Sequence, residues 1–174
     1  MRTIAQLLTL FTAFFAADVT ASAPRASQHA EQEVWTLAER IAAALPGDKA
    51  RLQTILPTLA ESADEPLASS NPQRIEIAPS LFVEGLSVTT GEGDIATAVA
   101  FNLSGSCIPF SSVRKRYPNL LVLNHAANEL EWNAIGTQMG DSVIAFWFQG
   151  LAFGCMRRVN ITPAAETLSR LNLD

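Results

Sequence analysis

The chain opens on an apolar run from Ile4 to Ala17, preceded by a single charge at Arg2 and closed by Asp18. A charged start, an apolar middle and then small residues are the pattern of an export signal. Val19-Thr20-Ala21 fits the small-x-small cleavage rule. Residues 1–21 are therefore expected to be a signal peptide, with the mature chain, 22–174, beginning near Ser22. The run is shorter than the ~20 apolar residues of a spanning helix, so cleavage is expected and no stable membrane anchor afterwards. No cysteine lies near the cut to carry a lipid.

Beyond the leader the periodicity becomes helical. Val34, Leu37, Ala38, Ile41 and Leu45 recur at the spacing of one buried helix stripe, which predicts a helix over His29 to Leu45. Ser27 is a candidate cap, Glu31 and Glu33 suit the positive first turn, and Pro46-Gly47 ends the helix. Asp48 can cap a second helix with stripe Leu52, Ile55, Leu56 and Leu59, which Pro57 should kink or end. Together, 29–61 reads as a helical hairpin and 62–73, polar and proline-bearing, as a linker.

From Arg74 onward the alternation is that of strands: Arg74–Ala78, Leu81–Thr90, Ile95–Leu103, Leu120–Asn124, Glu129–Thr137, Ser142–Gln149 and Phe153–Ile161. A short helix is inserted at about Phe110 to Tyr117. Thr162-Pro163 signals a last helix over 163–171, with the cap on Thr162. The expected fold is α+β: an N-terminal helical hairpin packed on a mostly antiparallel sheet, 74–161, with one inserted helix and a C-terminal helix, all in one exported domain.

Two stretches echo each other. Gly93-Asp94, then Val99-Ala100-Phe101-Asn102-Leu103, then Gly105 and Cys107, is matched by Gly140-Asp141, Ile144-Ala145-Phe146-Trp147-Phe148, Gly150 and Cys155. Each Gly-Asp falls where a hairpin turn requires positive φ. Both hairpins should belong to one sheet, either as a duplication or by shared turn chemistry. In an exported chain, Cys107 and Cys155 are expected to be disulfide-bonded.

With 48% hydrophobic and 17% charged residues the chain can build a core, and a net charge of −5 argues against a nucleic-acid partner. The one basic cluster, Arg114-Lys115-Arg116, lies between Val113 and Tyr117 and reads as the solvated side of a short helix. His125, near Asn124, Asn128, Glu129 and Glu131, offers too few ligands for a metal site. Glu129 and Glu131, two apart, read as solvated rather than as a catalytic acid pair. No phosphate loop or triad is present, so no cofactor and no metal are expected. Asn102-Leu103-Ser104 and Asn160-Ile161-Thr162 match the glycosylation tripeptide, which matters only in a eukaryotic secretory pathway.

Two readings of the chemistry remain. Ser104-Gly105-Ser106-Cys107 ahead of a short helix, with Gly140-Asp141-Ser142-Val143-Ile144 downstream, resembles the papain-like bacterial cell-wall endopeptidases. The resemblance implies Cys107 as nucleophile, but it covers only these short stretches. No histidine follows Gly140, and His125 is the only one after Cys107. Thiolate chemistry needs a base within hydrogen-bond reach. The second reading starts from Val143–Phe148, which is apolar on both faces. One face must meet the core; the other needs a covering layer or a partner. Trp132, Trp147 and Phe153 are the candidate partner-binding residues. The leading expectation is thus a non-catalytic, periplasmic or secreted protein-binding module, such as a periplasmic inhibitor or an immunity protein against a secreted antibacterial toxin. The alternatives are a cell-wall hydrolase using Cys107 and an envelope assembly or structural factor.

Overall fold

A computed structural model describes residues 24–56 and 74–171. The expected export segment, the linker and the Pro57 kink lie outside the described residues.

Helix α1 spans Gln28–Ala42, and the Ser27 side chain accepts the Ala30 N–H at its start, as the capping preference predicts. It buries Ala30, Val34, Trp35, Ala38, Ile41 and Ala42, so the expected stripe gains Ala30, Trp35 and Ala42, while Leu37 is only partly buried. The helix ends before Leu45. The following Gly47–Asp48 forms a two-residue strand, β1, that the sequence did not announce. Asp48 also caps α2, Lys49–Ile55, by accepting the Ala50 N–H.

The sheet strands are β2 (Arg74–Ala78), β3 (Leu81–Thr90), β4 (Ile95–Gly105), β5 (Leu121–Asn124), β6 (Trp132–Met139), β7 (Ser142–Gln149) and β8 (Met156–Pro163). Helix α3, Phe110–Arg116, is inserted after β4, and α4, Ala164–Arg170, closes the described chain. The expected α+β architecture is what forms: an eight-stranded sheet in the order β2-β3-β4-β8-β7-β6-β5, with β1 beside β4. Every pairing is antiparallel.

Several boundaries differ from expectation, three of them for an identifiable local reason. Residues 129–131 are loop, because Asn128, Glu129 and Glu131 turn their side chains onto nearby backbone N–H groups instead of leaving them to a strand ladder. The strand expected from Phe153 starts at Met156, since Phe153 itself has positive φ. Thr162 and Pro163 extend β8, and α4 begins without a side-chain cap; the Thr162 hydroxyl bonds Thr167 instead.

The core lies between α1 with α3 and one face of the sheet. Phe146, fully buried, meets Trp35 edge-on at 5.7 Å and stacks on Tyr117 at 5.3 Å. Phe101, Val99, Leu103, Ile144, Phe148, Val159 and Ile161 complete this face. Met156 and Val159 both reach it although three residues apart, because a register shift opposite Trp147/Phe148 inserts one extra residue into β8.

Candidate functional site

Strand alternation sends every second residue to the face away from α1. The registers Glu84↔Asn102, Asn102↔Arg158, Trp147↔Arg158 and Ala134↔Trp147 place these residues in one row across five strands, β3 to β6. The next row runs Ser87, Ala100, Asn160, Ala145 and Gly136. Trp132 pairs with Gln149, so it is the diagonal neighbour of Trp147 on the same face, within reach of a large ring. Ala134 and Ala145 in these rows are buried, and the larger polar and aromatic residues remain accessible around them. The result is an open cleft of about 420 Å³ lined by Asn102, Trp132, Trp147, Arg158 and Asn160.

The two echoing stretches build this cleft. Their strands, β4 and β7, flank β8 on either side, which puts Asn102 and Trp147 in equivalent positions beside Arg158 and puts Ala100 and Ala145 beside Asn160. Gly93 and Gly140 take positive φ in the turns that lead into those strands.

The cleft presents donors. Arg158 Nε donates to Asn160 Oδ1 at 2.7 Å, and the Asn160 amide N–H groups have no partner among the described residues. None of the ion pairs among the described residues uses Arg158. The Trp147 indole N–H is buried with no acceptor, a state that costs roughly 1–3 kcal/mol when left unrelieved.

At the end of the cleft beside Trp132, two loops stand side by side. Loop 125–131 exposes Leu130 at 83%, and turn 150–154 exposes Leu151 at 49%. Both are held firmly. Buried Asn133 accepts the Ala126 N–H and donates to the Gly150 carbonyl, Glu131 accepts from Ala127 N–H and Asn128 Nδ2, and Glu129 accepts the Leu151 N–H. Glu129 and Glu131 thus serve the loops. His125 is exposed there, with Nδ1 donating to the Ala126 carbonyl at 2.7 Å.

Of the candidate residues, Trp132 and Trp147 come together and Phe153 does not join them. Phe153 stacks on Phe110 at 4.6 Å and packs against Phe148 on the core side. Asn102, Arg158 and Asn160 were missed as binding residues; Asn102 and Asn160 stood out only as heads of glycosylation tripeptides, and the further signal is a polar residue at alternate positions of otherwise apolar strands. Cys107 and Cys155 are bonded, joining the end of β4 to the start of β8 with Cα atoms 5.0 Å apart. A bonded sulfur is not a nucleophile, so the hydrolase reading would require this bridge to open. Among the described residues no three His, Cys, Asp or Glu side chains cluster as metal ligands.

A second cleft, about 450 Å³, lies between α1 and α3 and includes Arg25, Glu31, Trp35, Ser112 and Arg116. Several of its polar groups are engaged with one another or with neighbours. Ser112 donates to Glu31 at 2.7 Å, and Arg116 binds the carboxylate of the nearby Glu39 through two nitrogens. This cleft reads as a joint between helices.

No protein-family model and no curated protein matches the chain. Among solved structures it is similar to a DUF4309 family protein, YjgB of Bacillus subtilis subsp. subtilis str. 168, at TM-score 0.48 and 9% identity, over 79% of this chain and 99% of that one. At that level the similarity carries no inference. The disulfide is consistent with an oxidising, extracytoplasmic location.

Proposed function

We propose that this chain is an exported, non-catalytic protein-binding module, periplasmic or secreted, of the kind that inhibits or gives immunity against a secreted antibacterial toxin. The observation that carries the reading is the open part of the sheet face, where partly buried Trp132 and Trp147 border a cleft and the loops next to Trp132 in sequence and register expose Leu130 and Leu151. Interface energy concentrates in aromatic and arginine side chains set in pockets. The loops carrying the leucines are already fixed by hydrogen bonds from Asn133, Glu129 and Glu131, so little ordering entropy is lost on association. The engaged sulfurs and the structural use of both glutamates favour binding over catalysis.

The test is capture of a partner from an envelope extract, paired with thermal melts of each variant. Trp132→Ala and Trp147→Ala should each weaken capture by about 2 kcal/mol, some thirty-fold, while the fold survives. His125→Ala should capture normally. Full capture by both tryptophan variants would overturn the reading.

A further inference from the structure

We infer that the cleft accepts a carboxylate, presented on an acidic loop of the partner whose flanking apolar side chains lie on Trp132, Leu130 and Leu151. The inference rests on the binding reading and adds the chemistry of what is bound. Arg158 and Asn160 bring a guanidinium and an amide to the cleft, and the Trp147 indole N–H lies buried in its wall without an acceptor. No carboxylate lines it. The nearest acid in the row, Glu84, is already engaged by Arg74 at 3.2 Å and by the Ser104 hydroxyl. A cleft with a cation, spare amide N–H groups and an unpartnered indole N–H is complementary to an anion with several acceptor positions. Arginine pairs with a carboxylate through two parallel hydrogen bonds, which also fix orientation.

The apolar surroundings select the carrier. Leu130 and Leu151 stand exposed in the two loops that adjoin Trp132 and its register partner Gln149, and Asn133 ties those loops together. A free small anion would leave that surface wet. A protein loop with an acidic side chain between apolar ones covers it while seating its carboxylate against Arg158. The chain's overall charge of −5 repels acidic partners at a distance, so the local cation supplies selectivity at contact rather than long-range steering.

The experiment uses the oxidised mature protein, ¹⁵N-labelled, and short blocked peptides with a central glutamate, glutamine or lysine between leucines. The reporter is the indole N–H resonance of Trp147, assigned by Trp147→Phe. The glutamate peptide is expected to shift it saturably and to bind about ten-fold or more tightly than the glutamine peptide. Arg158→Met should erase that preference while the remaining amide spectrum stays folded. Equal binding of the two peptides, preference for lysine, or no saturable shift up to about 10 mM peptide would overturn the proposal. So would saturation by glucuronate with none by the peptide, or a shift on concentrating the protein alone, which would make the occupant a second copy. If the tryptophan variants lose the envelope partner while glutamate and glutamine peptides bind alike, the binding reading stands and only this inference falls.

Discussion

Tyr117 joins the core to the charged surface of α3. Its ring stacks on Phe146, and its hydroxyl donates to Glu39 at 2.8 Å beside the Arg116 pair. Burial, followed by the bond to Glu39, holds the phenol well above the ordinary tyrosine range. The folded state therefore keeps a proton that the unfolded chain loses above about pH 10. Stability should be fully present below that pH and fall as pH rises beyond it, and Tyr117→Phe should flatten the fall in alkaline urea titrations. Phe146→Ala should cost about 3–5 kcal/mol, read from the same unfolding curves, because its neighbours Trp35 and Tyr117 cannot both close the gap. Single residues were legible in sequence where their partners are close in the chain. Ser27 and Asp48 cap helices a few residues onward, which the residue types alone disclose. Arg158, Asn102 and Trp147 meet only through strand register, and nothing local to any of them specifies it.

At the scale of elements, the Cys107–Cys155 bridge ties β4 to β8 where the chain makes its longest excursion, through α3, β5, β6 and β7. The Cys107 backbone also bonds Pro24 and Ala26, so the start of the described chain is pinned at the same point. Closing a loop of separation 48 stabilises by about 4 kcal/mol on the chain-entropy account. Replacing both cysteines by serine should lower the melting temperature accordingly and leave the cleft's ligand preference intact. Alkylation of the untreated protein should find no free thiol; selective labelling of Cys107 at neutral pH would revive the hydrolase. The loops form a second unit. Asn133→Leu removes both the acceptor for Ala126 N–H and the donor to Gly150, and should raise amide exchange across 125–131 and 150–154 before it affects the helices. Strand interiors were legible from alternation, but strand starts were not. At 129–131 and 153–155 side-chain bonding and a positive φ override an apolar or alternating pattern, and β1 is too short to show one.

The molecule as a whole has a covered face and an open one. Helices α1 and α3 close the first over Phe146, Phe101 and Val99. On the second, α4 packs on β7 and β8 and Leu123 lies against Gly136, yet the row Asn102, Arg158, Trp147 stays open between them. The apolar character of Val143–Phe148 on both faces foretold two buried surfaces without saying that the second would be incomplete. The partner is expected to sit on this open face. Hydroxyl-radical footprinting of the wild-type chain, free and with its captured partner, tests it without a substitution that could unfold the domain. Trp132, Trp147 and Leu130 should lose reactivity on binding, while Trp35, already buried on the inner face of α1, stays unreactive in both states. Protection confined to the α1 and α3 surface around Gln32, Ser111 and Lys115, with Trp132 and Trp147 unchanged, would contradict it.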